Sequence, residues 1–405
     1  MRVLIYGGTF SPPHAGHVRS VKIAAEALRP DRIVLIPASV PPHKALARGT
    51  PPAEDRLAMT RLAARSVPGA EVSDRELRRE GKSYTSDTLR ELREEFPDAE
   101  LVFLLGTDML LTLRDWYEPE VICSLASIAV FSREAGRTAE IAAGAEALRR
   151  DFGATVYVLA GEPVAVSSTE LRALLPERGG AELIPPEVYA YIIKKRLYGA
   201  KPELAWLRKR AHSYLKPKRV PHVLGVEAEA VRMAERWGAD PGDAAEAAIC
   251  HDITKALDRD AQLRLCEKYA ILLDECERRS EKLLHARTGA AFARDLFGLS
   301  DEVTAAIRWH TTGRPGMTDL ERITYLADYI EPNREAFDGL AELRAACCDD
   351  LDRAMELATR MSLCEVRDAG NAPHENTVLA HEYYRNLLRE RGLAPVRAAG
   401  IDDEI

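Results

Sequence analysis

The chain has 405 residues, of which 46% are hydrophobic and 30% charged, and its formal net charge is −8. That length is too great for one ordinary hydrophobic core and points to two or three domains. The acidic balance argues against a general nucleic-acid partner but not against nucleotide substrates, because a few local cations and helix N-termini can hold a phosphate.

The first segment, MRVLIYGGTF, enters a strand directly at Arg2–Tyr6. It lacks the apolar stretch and small-residue cleavage site of a secretory signal. With no apolar run long enough to span a bilayer, a cytoplasmic location without a membrane partner is expected. A Gly-rich turn and a helix to about Leu28 follow. Further strands are expected at Arg32–Pro37, Glu71–Ser73, Leu101–Leu105, Ile128–Phe131 and Thr155–Leu159, and helices at Glu54–Ser66 and Thr85–Glu95. Strands separated by helices imply a parallel sheet covered on both faces, with ligands beyond the carboxyl ends of the strands. Pro185–Pro186 opens a short helix ending near Tyr198–Gly199, and Gly199–Pro202 reads as a hinge. We therefore place one domain at 1–199, a second at 200–395 and a loose tail at 396–405.

From about residue 203 the pattern is helical and shows no convincing strand. Val223, Val226, Ala230, Met233 and Trp237 mark one apolar face, and Asp301–Trp309 and Leu320–Ile330 behave similarly. Six of the seven cysteines lie in this half, and none forms a CxxC pair, so reduced structural thiols are expected.

The first chemical constellation follows the first strand. Gly7, Gly8, Thr9 and Phe10 form a turn in which glycine lets the backbone approach a phosphate, and the next helix offers its free amides. His14 and His17 share a face at that helix start and can neutralise charge that builds during transfer. The string GGTFSPPHAGH resembles the signature of the HxGH nucleotidyltransferase superfamily. Ile36–Pro37–Ala38, Pro41–Pro42–His43–Lys44, Ser83–Tyr84–Thr85 with Asp87–Thr88–Leu89, Gly106–Thr107–Asp108, Trp116, Arg133 and Ser167–Arg172 narrow the resemblance to nicotinate-nucleotide adenylyltransferase, as does the closing segment Pro185–Ile192. Ser11 departs from the pattern, where this family usually carries Asp. The resemblance implies a Rossmann-like α/β domain that joins ATP to nicotinate mononucleotide, giving nicotinate adenine dinucleotide and pyrophosphate. It assigns His14 and His17 to the ATP phosphates with Mg²⁺. Ser167, Ser168, Thr169 and Arg172 become a second phosphate clamp, with Lys44 and Arg133 as further cations. Thr85 and Trp116 frame the nicotinate ring, and Asp108 lies on the nucleotide side. Pantetheine-phosphate and cytidylyl transferases are the nearest rival readings.

The second constellation is His222, His251–Asp252, His285, His310 and Asp328, each in or beside an expected helix. Imidazole and carboxylate suit iron, manganese or zinc, and six such groups exceed the needs of one tetrahedral ion. Ala248–Lys255 resembles the HD phosphohydrolase motif, and Leu284–Ala290 its third element. Trp309–Gly313 and Leu326–Pro332 are similar to the bacterial symmetrical diadenosine-tetraphosphate hydrolases, and Arg219 also fits them. This resemblance implies an all-α HD bundle that cleaves diadenosine tetraphosphate to two ADP. His222, His251, Asp252 and Asp328 would hold one metal, iron being expected. His285, His310 and Asp252 would hold the other. Lys255 would touch a phosphate or bridging water, and Arg314 and Arg334 are weaker phosphate contacts. An HD half that acts on another nucleotide, or that serves as a sensing or dimerising module, stays open. So does a homodimer.

Overall fold

The longer apolar runs of the first half become strands buried on both faces, whereas the short edge strands at Ala70–Val72 and Val156–Leu159 are part-exposed. The computed structural model describes residues 1–40, 46–131, 137–161 and 164–402, and it divides into two compact units, Met1–Lys201 and Pro202–Ile405. In the first unit the strands are β1 (Arg2–Gly8), β2 (Arg32–Pro37), β3 (Ala70–Val72), β4 (Glu100–Gly106), β5 (Ser127–Phe131) and β6 (Val156–Leu159). They form one parallel sheet in the order β3-β2-β1-β4-β5-β6. Alternate residues serve opposite layers. Val3, Ile5, Leu101, Phe103 and Leu105 enter one core, and Leu4, Tyr6, Val102 and Leu104 enter the other.

The strand order reverses between β1 and β4. Chains leave these neighbours toward opposite sides, which opens a crevice at their carboxyl ends. Gly7–Gly8 closes β1, and Gly106 closes β4 beside it. The flanking helices that bear on this edge are α1 (Ala15–Leu28), α2 (Ala53–Ala64), α3 (Thr85–Glu95), α4 (Thr138–Phe152), α5 (Ser168–Leu174) and α6 (Pro186–Lys195). Strand ends differ from the sequence expectation by at most two residues, as frayed termini do, whereas the helix expected to end near Tyr198–Gly199 closes at Lys195 and a separate short turn covers Leu197–Gly199.

The second unit is a helical bundle in which the described residues contain no strand. Its main helices are α7 (Val220–Trp237), α8 (Pro241–Cys250), α9 (Glu281–Phe297), α10 (Asp301–Trp309), α11 (Asp319–Ile330), α12 (Leu351–Asp368) and α13 (Glu375–Glu390). Helix α7 packs on α8 and α11, and α10 packs on α8, α9 and α11. The expected apolar face of α7 is realised: Val223, Val226, Ala230 and Met233 are fully buried. Trp237 closes it part-buried, donating its Nε1–H to Cys347 O at 3.1 Å. All seven cysteines are free, and Cys250 is fully buried. No described helix is long and apolar enough to cross a membrane.

The loose tail expected at 396–405 is corrected through residue 402. Val396, Ala398 and Ile401 pack on the core of this unit, and the buried Arg360 guanidinium donates to Val396 O. Charged neighbours hid three apolar anchors in the sequence. Residues 403–405 lie outside the described residues.

His381 on α13 is 3% exposed. Burial, and then the charge of Arg385, push its imidazole down to about 4. Burial likewise lowers His285 and takes His310 to about 3. Each ring is neutral when folded, so below the unfolded value of about 6.5 the unfolded chain binds more protons. The contribution of these three rings to stability is therefore complete above about pH 6.5 and falls as pH drops toward 4. A His381→Gln variant is expected to show a shallower fall of metal-free Tm between pH 6.5 and 4; an unchanged slope would contradict the neutral buried ring.

Candidate active sites

In the first unit the chain leaves β1 through Gly7 and Gly8 and turns at Phe10, which adopts a left-handed φ of 48° and is buried. His14 is the N-cap of α1, and His17 sits on its first turn. The two rings stack with centroids 3.7 Å apart. The His14 backbone N–H donates to His17 Nδ1 at 3.1 Å. His17 Nδ1 is thus an acceptor, which leaves the proton of the neutral ring on Nε2 as a donor. Gly16 suits this packing, since a Cβ there would lie 3.0 Å from the His14 ring and 3.1 Å from Val166, and those side chains would have to give.

The segment expected to form the second clamp meets this turn. Ser167 caps α5 in a reciprocal pair with Glu170. Ser168 Oγ donates to Pro12 O at 3.0 Å, and Arg172 Nη1 donates to Ser11 O at 2.8 Å. Thr169 Oγ1 accepts from Arg172 Nη2 at 3.0 Å. Arg172 therefore braces the cradle from behind its backbone. At the departure from the family pattern, the Ser11 hydroxyl lies 3.2 Å from Tyr198 Oη. Burial pushes that phenol up to about 12, so the contact is between neutral groups.

Asp108 opens the helical turn after β4, is largely exposed, and pairs with Arg137 at 2.7 Å. Thr85 is the first residue of α3. Trp116 is part-buried with its ring edge toward Phe103, centroids 6.5 Å apart. Lys44 and Arg133 lie outside the described residues.

Two features of this region are not told by the motifs: the acceptors of Arg56, and the pairing of Tyr84, which the Ser83–Tyr84–Thr85 string already contains, with Tyr117. Arg56 on α2 is 2% exposed and donates to the carbonyls of Thr9, Ala38 and Ser39. It ties together the chain exits of β1 and β2. Tyr84 and Tyr117 form a second aromatic pair, centroids 4.5 Å apart, each adjacent to an expected nicotinate-framing residue. Arg56 reads as an ordinary helix cation, and only its tertiary acceptors distinguish it.

In the second unit five segments bring the six expected ligands together. His222 lies on the first turn of α7, His251 and Asp252 follow α8, His285 lies on α9, His310 follows α10, and Asp328 lies on α11. The four histidines are each less than a tenth exposed, and Asp252 is fully buried. The two oxygens of Asp252 face different donors, and His251 is within reach of both groups, with His222 and Asp328 and with Asp252 and His310. Asp252 Oδ2 is 3.4 Å from His251 Nε2 and 3.9 Å from His222 Nε2. Asp328 Oδ1 joins that set, 3.0 Å from His222 Nε2. The other oxygen, Oδ1, is 3.1 Å from His285 Nε2 and 4.0 Å from His310 Nε2.

The donor chemistry fits divalent metals. His251 Nδ1 and His310 Nδ1 face the carbonyls of Ala248 and Ile307 at 2.7 and 2.6 Å. A carbonyl only accepts, so both rings carry a proton on Nδ1 and turn Nε2 toward the site as the atom that could ligate an ion. His222 Nε2, His251 Nε2 and Asp252 Oδ1 are buried without a well-formed hydrogen bond, despite their close neighbours. Buried polar groups seldom stay unsatisfied unless something else binds them. Burial pushes Asp252 up, but His251, then His285 and the Lys255 ammonium, outweigh it and hold the carboxyl well below the usual carboxylate range. His222 does the same for Asp328.

Lys255 Nζ lies 3.1 Å from Asp252 Oδ1, and Arg219 Nε donates to Oδ2. Arg334 is held by Asp328 Oδ1 at 3.0 Å and Arg314 by Glu321 at 2.7 Å, so both weaker phosphate candidates are engaged by carboxylates. A third group, Asp274, Glu277 and His374, differs in kind. His374 Nδ1 accepts the Asn376 amide at 3.1 Å, so its Nε2 carries the proton toward Asp274, 2.9 Å away. That ring is a helix cap and a donor, with no lone pair for an ion.

Comparison with known proteins gives a separate line for each half. The cytidylyltransferase-like family matches residues 5–174 and the HD domain matches residues 219–333. A protein of Geobacter sulfurreducens named a probable nicotinate-nucleotide adenylyltransferase is 37% identical over 213 residues, covering 49% of this chain and 98% of that protein. Another so named, from Aeromonas salmonicida, is 41% identical over 208 residues, covering 48% and 96%. A solved structure from Clostridium acetobutylicum, named a predicted HD superfamily hydrolase involved in NAD metabolism, is 35% identical. It covers 46% of this chain and 100% of that one, with a TM-score of 0.45.

Proposed function

Over its first half this chain belongs to the nicotinate-nucleotide adenylyltransferase family, and we propose that its second half is a metal-dependent hydrolase that splits diadenosine tetraphosphate into two ADP. The first half serves NAD biosynthesis by transferring AMP from ATP to nicotinate mononucleotide. The mononucleotide phosphate attacks the α-phosphorus, and pyrophosphate leaves. Such transfer needs alignment and charge stabilisation, with no covalent nucleophile. His17, with Nε2 as donor, and His14 beside it would meet the ATP phosphates, which Mg²⁺ accompanies. Ser167, Ser168 and Thr169 would hold the far side of the phosphate chain, and Arg172 would keep the two segments in register. Lys44 and Arg133 would add cations, Asp108 would border the nucleotide, and Thr85 with Trp116 would frame the nicotinate ring. The observation that carries this assignment is the hydrogen-bonded meeting of the α5 cap with the Ser11–Pro12 turn at the β1–β4 crevice.

For the second half the carrying observation is the pair of donor sets facing the two oxygens of one buried carboxylate. His222, His251, Asp252 and Asp328 would hold one ion, and His285, His310 and Asp252 the other. Iron is the proposed metal, with manganese or zinc suited to the same donors. Bound there, two such ions lower the pKa of a water and draw charge from the attacked phosphorus. Lys255 and Arg219, already on Asp252, stand where a phosphate chain can also reach them. Water adds to one central phosphorus, the bridging P–O bond breaks, and both products are ADP. The test offers the purified chain a panel of dinucleoside polyphosphates and mononucleotides with Fe²⁺, Mn²⁺ or Mg²⁺. ADP as the sole product from the tetraphosphate is expected, whereas AMP with ATP would overturn symmetric cleavage.

A further inference from the structure

We infer that Glu331 is a positioning residue for the metal centre, and that Gly225 is glycine to admit it. The inference rests on the metal-dependent reading of the second unit. Glu331 follows α11 and is 2% exposed. Its Oε1 lies 3.1 Å from His222 Nδ1. Its Oε2 accepts the backbone N–H of Asn333 at 2.7 Å.

The carboxylate therefore faces two donors, one per oxygen. Because it only accepts, His222 carries its proton on Nδ1, and Nε2 keeps the lone pair that faces Asp328. An imidazole bound to metal through one nitrogen commonly gives its other N–H to a carboxylate, which sets the ring's tautomer and angle.

The surrounding chain is built around this contact. The Asn333 side chain donates to Pro221 O at 3.0 Å, next to His222. Arg344 donates to the carbonyls of Ile330 and Glu331, at 3.1 and 3.0 Å. On α7, a Cβ at Gly225 would lie 2.3 Å from Glu331 Oε2 and 2.9 Å from Asn333 Nδ2. That oxygen is locked by the Asn333 amide, so it cannot simply swing aside. The absent side chain of Gly225 is what lets Glu331 reach His222.

Glu331→Gln tests the role with almost no change in volume. Glutamine has one acceptor and one donor end. If its NH2 faces Asn333 N–H, two donors oppose each other. If it faces His222, the ring must shift its proton to Nε2 and lose the ligating lone pair. Titration with Mn²⁺ by calorimetry, and the visible spectrum of the Co²⁺-loaded full chain, read the site without turnover. Glu331→Gln is expected to weaken Mn²⁺ binding by about 10- to 100-fold, the usual cost of losing such a partner, and to change the Co²⁺ bands. Gly225→Ala should shift both readouts in the same direction, while the far-UV spectrum and adenylyl transfer stay those of the parent chain. Parent-like Mn²⁺ affinity and Co²⁺ bands in Glu331→Gln would overturn the inference. Failure of the unmodified chain to bind either ion would instead overturn the metal-dependent reading beneath it.

Discussion

Asp252→Asn is expected to abolish hydrolysis by the second unit and to release its metal, while adenylyl transfer proceeds at the parent rate. Asp252 has one oxygen toward His251 and the other toward His285, so a single carboxylate faces both donor sets. The amide keeps the shape but has a single acceptor oxygen. Whichever way it turns, a donor NH2 points at one of these sets. It also removes the negative charge that Lys255 and Arg219 share. The loss in metal affinity should exceed the about 10- to 100-fold typical of an outer partner. His251→Ala should likewise silence hydrolysis, since it removes a fully buried ring from beside Asp252 Oδ2. Metal content by elemental analysis, ADP release and circular dichroism check the claim together. A folded Asp252→Asn chain that retains its metal and turnover would remove the bridging role from this carboxylate.

The parts legible in the sequence are those whose chemistry is contiguous. GGTFSPPHAGH carries a strand end, a turn and a helix start within eleven residues, so its local geometry is implied by its order. His251–Asp252 and the apolar face of α7 are readable for the same reason. What stayed hidden depends on long-range partners. Arg56 reaches Thr9 across 47 positions, and His222 reaches Glu331 across 109. Nothing around Arg56 distinguishes it from a surface cation, and the Leu326–Pro332 string contains Glu331 without naming its partner. The expected cations show the converse. Arg172, Arg314 and Arg334 have the right charge for phosphate, yet carbonyls or carboxylates already hold them. The tail from Val396 reads as loose because three spaced apolar residues show no period, although a neighbouring core can bury them.

His17→Ala is expected to lower adenylyl transfer by about 10²- to 10³-fold, the usual cost of one preorganised donor at developing charge, and to leave hydrolysis intact. The backbone N–H of His14 fixes His17 Nδ1 as an acceptor, so the ring's remaining proton lies on Nε2. Alanine deletes that donor and also the ring that stacks on His14. Gly16→Ala separates the two effects. It adds one methyl 3.0 Å from the His14 ring and 3.1 Å from Val166, yet removes no polar group. If the position of the stacked pair matters, Gly16→Ala should lose much of the activity lost by His17→Ala. The double variant should then lose little more than His17→Ala alone, because both act on one unit. Additive losses would mean that Gly16 serves the cradle backbone independently of the rings. Pyrophosphate release from ATP and nicotinate mononucleotide measures all three variants, and ADP release from the tetraphosphate is the internal control. Loss of both activities in a folded His17→Ala chain would show that the two sites do not work independently.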